Sequence, residues 1–223
     1  MYFRDRLDAG RKLAARLGQY ADRPDVLVLA LPRGGVPVGF EVAKTLHAPL
    51  DVFLVRKLGV PGHEELAMGA IASGGVVVLN PDVVETLGIS ERVLVAVVNA
   101  ERRELDRRER AYRDDRPPPE VQGKTVIVVD DGLATGSSMR AAVQALRQQS
   151  PARIVVAVPV SAPETCDALL TEVDDIVCVI TPDRLYGVGA WYEDFSQTTD
   201  AEVRELLDAL RDGFQIAQGT EPS

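Results

Sequence analysis

A chain of 223 residues, 46 % of them hydrophobic, can bury one sizeable core, so a single domain spanning 1–223 is expected. A net charge of −9 argues against the broad basic face that a nucleic-acid or anionic-membrane partner requires, although a cationic pocket can still sit within an acidic protein. Cys166 and Cys178 lack C-x-x-C spacing and read as buried free thiols; with no apolar leader and no run of membrane-spanning length, a cytoplasmic protein is expected.

Phe3, Leu7, Leu13, Ala14 and Leu17 suggest an opening amphipathic helix. Residues 26–31 form an apolar run that suits a buried strand; it ends in Pro32-Arg33-Gly34-Gly35-Val36-Pro37, followed by a helical stretch to about Leu46. A second strand is expected over 50–55, closed by Arg56-Lys57. The segment 58–75, with five glycines and one proline, reads as a mobile loop, and 76–79 as a returning strand. His63 lies in that loop, where a histidine alone does not define an acid or base.

Ser90 is placed to cap a helix over 91–112, with Leu94, Val97, Val98, Leu105 and Tyr112 along one face. Seven arginines between Glu101 and Arg116 are interleaved with six acids, and Glu104–Arg108, Asp106–Arg110 and Glu109–Arg113 fall at i,i+4. A solvated, salt-bridged helix is expected rather than a polyanion site. Pro117-Pro118-Pro119 stops it.

Val126-Ile127-Val128-Val129 is the clearest buried strand, and Asp130-Asp131 arrive at its end. Gly132 to Ser138 then lead into a helix carrying Val143 and Leu146. A helix N-terminus reached through glycine and serine offers free N–H groups and hydroxyls to a phosphate. The carboxylates before it suit ribose hydroxyls or Mg²⁺. Neither a Gly-Lys-Ser/Thr ending nor a G-x-G-x-x-G fingerprint occurs. Strands at 154–160 and 176–180 follow, with capping boxes expected at Ser161–Glu164 and Thr199–Glu202. The second opens a helix carrying Val203, Leu206, Leu207 and Leu210, with a loose tail after Gly213. Strands alternating with helices imply an α/β fold, a doubly wound and mostly parallel sheet that binds ligands beyond the carboxyl ends of its strands.

The stretch 126–138 closely resembles the phosphoribosyl pyrophosphate (PRPP) signature of the type I phosphoribosyltransferases. The resemblance implies that Asp130 and Asp131 contact the ribose hydroxyls and that Ala134, Thr135, Gly136, Ser137 and Ser138 wrap the 5′-phosphate. It implies that Arg33, Gly34 and Gly35 form a pyrophosphate loop, with a non-proline cis peptide at Pro32–Arg33. Val55-Arg56-Lys57-Leu58-Gly59-Val60-Pro61-Gly62 resembles the family's catalytic loop, which makes Arg56 and Lys57 donor contacts and Arg33, Lys57, Asp130 and Asp131 the catalytic set. Tyr186-Gly187-Val188-Gly189-Ala190-Trp191-Tyr192-Glu193-Asp194-Phe195 resembles the base-binding hood of the 6-oxopurine members. It implies Tyr186, Trp191 and Tyr192 at the base, and Glu193 or Asp194, beside Asp130 and Asp131, at Mg²⁺. Ala134, however, stands where those enzymes carry an acid and matches the adenine enzymes, so the acceptor stays open.

The implied protein has a core over about 24–180 and a hood and C-terminal helix over about 181–213, with help possible from the N-terminus. Its implied ligands are PRPP, a small-molecule base and Mg²⁺, in a homodimer as is usual for the family. The alternatives are a non-catalytic PRPP-binding regulator on the same fold and a receiver-like domain, which would leave the phosphate loop unexplained.

Overall fold

In the computed structural model, which describes residues 2–114 and 116–218, helices pack against both faces of a five-stranded parallel sheet. The chain runs α1 (Arg6–Ala14), β1 (Val26–Ala30), α2 (Gly35–Leu46), β2 (Leu50–Val52), β3 (Val55–Val60), β4 (His63–Ala72), β5 (Val76–Leu79), α3 (Pro81–Thr86) and α4 (Glu91–Arg113). It continues through β6 (Thr125–Val129), α5 (Ser137–Arg147), β7 (Arg153–Val160), α6 (Pro163–Leu170), β8 (Asp175–Ile180) and α7 (Asp200–Gln218). The parallel sheet has the order β2-β1-β6-β7-β8.

The central strands are apolar on both sides because both sides are covered. Alternate residues divide between two cores. Val26, Val28, Ile127, Val129 and Val155 pack with α1 and α2, while Leu27, Leu29, Val126, Val128 and Val156 pack with α5 and α6. These features bear out the doubly wound α/β sheet expected from the sequence.

The segment expected as a mobile loop is instead ordered structure. β3, β4 and β5 form a separate antiparallel sheet, and Arg56 and Lys57 lie inside β3 rather than at the end of a long second strand. The glycines that suggested a loop serve the sheet. Gly62 makes the β3–β4 turn at φ +82°, and a Cβ on Gly69 would sit 2.3 Å from the Val78 carbonyl oxygen. A third core, containing Leu58, Met68, Ile71, Leu105, Tyr112, Val203 and Leu207, joins this sheet to α4 and α7.

Helix α4 also departs from the expected solvated rod. Its Glu104–Arg108 and Glu109–Arg113 pairs form, but Arg113 is buried. Arg113 donates to Asp51 at 2.8 Å and to the Val52 carbonyl, tying α4 to β2. The capping box expected at Ser161 is absent: Ala162 is the N-cap of α6, and Ser161 is buried, pairing with Leu133 in an isolated bridge. Helix α7 continues past Gly213 to Gln218, where a loose tail was expected; residues 219–223 lie outside the described residues. Cys166 and Cys178 are free, with their sulfurs 3.1 Å apart, and burial raises the Cys178 thiol.

The second capping box does form. Thr199 Oγ1 accepts from the Glu202 amide at 3.2 Å, and the Glu202 carboxylate accepts from the Thr199 amide at 2.6 Å. Thr199→Ala is expected to cost about 1 kcal/mol, read as a lower urea midpoint with an unchanged m-value.

Candidate functional site

Helical connections leave β1 toward β2 and β6 toward β7, in opposite directions along the sheet, so the loops after these two neighbouring strands diverge and leave a crevice. The loop after β1 enters it with a cis peptide at Pro32–Arg33, as the resemblance implied. Gly34 lies directly against the acid pair at the end of β6. A Cβ built on it would fall 2.0 Å from Asp131 Oδ2, and one on Gly35 would fall 2.7 Å from the Val129 carbonyl oxygen. The two glycines are therefore required by the closeness of the two loops, which sets bare backbone beside two carboxylates.

The Asp131 amide donates to Asp130 Oδ1 at 2.8 Å, which orients the first carboxyl. Burial, and next the neighbouring Asp131 charge, pushes the Asp130 carboxyl well above the usual carboxylate range. Burial also raises Asp131, but Arg6 opposes it: Arg6 Nε donates to Asp131 Oδ2 at 2.9 Å. Arg6 also donates to the Ser196 carbonyl at 2.6 Å and lies 3.9 Å above the Phe195 ring. Its side chain is 11 % exposed. The sequence held no sign of this contact, because the partners are 125 residues apart and nothing local distinguishes Arg6 from its charged neighbours.

Beyond the acids, Gly136 takes φ +68° and caps α5 without a side-chain bond of its own; the Ser137 amide reaches Thr135 Oγ1 at 3.4 Å, and the Ser138 and Met139 amides behind it are available to an anion. A Cβ at Gly136 would meet Thr165 Cγ2 at 2.9 Å, and Thr165 Oγ1 donates to the Ala134 carbonyl at 2.9 Å, so α6 braces the loop from behind. Thr135, Ser137 and Ser138 remain exposed.

Arg56 pairs with Glu101 of α4 and lines a small cavity with Pro32, Asp130 and Ser138. Lys57 faces a different space of about 450 Å³, shared with Ser137 and Arg140. Arg33 is 3.9 Å from Asp200 at the start of α7. The structure thus brings Arg33, Gly34, Gly35, Arg56, Asp130, Asp131 and the 134–138 loop around one crevice, with Lys57 on its flank.

The C-terminal hood contains an N-terminal strand segment as well. Phe3 and Tyr192 form a parallel bridge, and Tyr2 stacks on Trp191 at 5.6 Å between centroids. Tyr192 is buried, and its hydroxyl donates to the Asp131 carbonyl at 2.6 Å. It supports the acid pair rather than offering a face to a ligand. Tyr186, 86 % exposed, and the half-buried Trp191 keep accessible surface. The Glu193 and Asp194 amides are pinned to the Phe3 and Arg4 carbonyls, and the Asp194 carboxylate accepts from the Ser196 amide. Among the described residues no group of three or more carboxylate, histidine or cysteine side chains is gathered as a metal cage.

Residues 3–185 match the family model described as phosphoribosyl transferase domain. Two Mycobacterium tuberculosis proteins, from strains CDC 1551 and H37Rv, carry provisional phosphoribosyl transferase names. Each is 45 % identical over 215 residues, covering 96 % of this chain and 48 % of the relative. The chain therefore spans about half the length of the curated relatives it matches. The crystal structure of TT1426 from Thermus thermophilus is similar at 42 % identity and a TM-score of 0.81, covering 93 % of this chain and 98 % of that one.

Proposed function

From the chain's membership of the phosphoribosyl transferase domain family, we propose that it moves the 5-phosphoribosyl group between PRPP and a nitrogenous acceptor, most simply a nucleobase, with release of pyrophosphate. The observation that carries this reading is the packing of Gly34 against Asp131, which puts an arginine-bearing anion loop, an acid pair and an open helix N-terminus in one crevice. A donor with a phosphate at one end, a diphosphate at the other and a diol between them matches those three parts in order. The proposed unit is the whole of 1–223, with a core over about 24–180 and a hood built from both ends of the chain.

In this reading Asp130 and Asp131 hold the ribose hydroxyls, while the Ala134–Ser138 backbone and the hydroxyls of Thr135, Ser137 and Ser138 hold the 5′-phosphate. Arg33 and the Gly34 amide take the departing diphosphate, the Gly35 amide being engaged with the Leu31 carbonyl at 3.0 Å, and Lys57 approaches from the flank. Tyr186 and Trp191 are the surfaces for a planar acceptor. Mg²⁺ fits the acid pair, because it uses one or two carboxylates and draws its other ligands from phosphates and water. Among the described residues, Asp131 alone of the pair accepts a hydrogen bond from a cationic side chain, that of Arg6. Asp130 and Asp131 would hold the ion, with Glu193 or Asp194 as a second contact; it would supply charge neutralisation of the leaving diphosphate. The protein's own work is positioning, exclusion of water and charge complementarity.

Pyrophosphate release from PRPP and Mg²⁺, measured with a panel of purine, pyrimidine and other nitrogenous acceptors, tests the reading. Release that depends on one acceptor is expected; PRPP binding without turnover against the whole panel would move the assignment to a PRPP-binding regulator.

A further inference from the structure

The proposed function leaves the arginine-rich helix α4 without a task, yet α4 reaches the crevice. Arg108 and Tyr112 line a cavity of about 130 Å³ together with Pro32, Arg56, Asp130 and Ser138. Resting on the phosphoribosyltransferase reading, we infer that Arg108 joins Arg56 in a two-guanidinium receptor for the diphosphate end of the donor, with α4 as its outer wall. The two arginines are held in the same way. Arg56 gives its Nε to Glu101, and Arg108 gives its Nε to Glu104 at 2.9 Å. Each is ion-paired through that carboxylate, and among the described residues neither terminal nitrogen of either side chain donates a hydrogen bond. A guanidinium anchored at Nε presents its remaining N–H donors as an oriented fork, the geometry that takes phosphate oxygens in pairs.

Tyr112 links this wall to the loop across the crevice. Its hydroxyl donates to Asp200 Oδ1 at 2.6 Å, and the same carboxylate oxygen lies 3.9 Å from Arg33 Nη1. Glu101, Glu104 and Asp200 are thus engaged with Arg56, Arg108, Tyr112 and Arg33, and among the described residues Asp130 is the one carboxylate that lines the cavity itself.

Arg107 provides a control on the same helix. It shares Glu104 with Arg108, at 2.8 Å, but is 67 % exposed and does not line the cavity. Inorganic pyrophosphate is titrated calorimetrically into the Mg²⁺-supplemented protein, and PRPP affinity is measured in parallel. Arg108→Gln is expected to weaken pyrophosphate roughly 10- to 100-fold, and PRPP by a similar factor. Arg107→Gln should stay within about twofold, and Arg108→Lys should recover part of the loss, because it restores charge without the fork. Wild-type pyrophosphate affinity in Arg108→Gln, alongside a loss in Arg33→Gln, overturns the role of α4 and leaves the phosphoribosyltransferase reading standing. Uptake of neither PRPP nor pyrophosphate by the unaltered protein overturns both. If Arg108→Gln lowers the thermal midpoint, Arg108→Lys at an unchanged midpoint decides: weakened pyrophosphate supports the inference, and wild-type affinity overturns it.

Discussion

Asp130→Asn is expected to remove transfer activity while making the ligand-free protein more stable at neutral pH. The substitution keeps the oxygen that accepts from the Asp131 amide at 2.8 Å, so the turn after β6 is preserved. It removes a carboxylate that burial and Asp131 drive toward its protonated form. An acid whose folded pKa is raised favours folding while neutral, and that contribution is lost as pH climbs from the ordinary Asp value of 3.8 through the raised one. The variant has nothing to ionise. Its thermal midpoint should therefore match wild type near the ordinary Asp value and exceed it at neutral pH, by the equivalent of about 0.5–2 kcal/mol. Calorimetry at both pH values in the presence of a chelator measures the difference. Turnover should fall by about 10²- to 10³-fold, the scale expected when a group that fixes substrate charge and position is removed. A variant that keeps its activity would remove Asp130 from the mechanism.

Arg6→Ala is expected to have the second largest effect, although no motif contains Arg6. Its loss leaves a carboxylate only 16 % exposed without its cation, and frees the Ser196 carbonyl and the Phe195 ring from the contacts that join the hood to the acid pair. Removing one partner of a largely buried pair typically costs about 3–5 kcal/mol, with protonation of the orphaned acid able to relieve part of that. Arg6 is the largest influence opposing the burial-driven rise of Asp131, so its removal shifts the Asp131 pKa further upward. If ionised Asp131 holds the ribose, the acid limb of kcat/KM moves to higher pH. Arg6→Lys should bring the limb most of the way back. An Arg6→Ala protein with a wild-type pH profile would make Arg6 structural only.

The parts of the fold legible in the sequence were those written locally. Val126 to Val129 and Val26 to Leu31 are apolar at every position, which only a strand covered on both faces requires, and both became central strands. The cis peptide at Pro32–Arg33 was anticipated from resemblance to a family, not from composition. The same local reading failed over 58–75. Glycine there signalled a loop, but the strands of β3–β5 approach so closely that Gly59 and Gly69 leave no room for a Cβ, a constraint that comes from the partner strand and not from the residue's own neighbours. Tyr192 was grouped with ligand-facing aromatics by its position in the hood, whereas its surroundings, Phe3, Phe195 and the Asp131 carbonyl, come from three separate stretches of chain.

The sequence by itself determined the class of fold, the acid pair at the end of its strand and the glycine- and serine-rich turn that opens the next helix, because strand burial and helix-terminus chemistry depend on residues within about a dozen positions of one another. The tertiary structure alone decided what surrounds those acids. Arg6 arrives from the first helix, Arg108 and Tyr112 from an intervening one, and Tyr192 from the hood, each brought in by the sheet order that makes β1 and β6 neighbours. Charge balance around a buried carboxylate falls off steeply with distance through protein, so it is set by which elements pack there and has no local pattern to read.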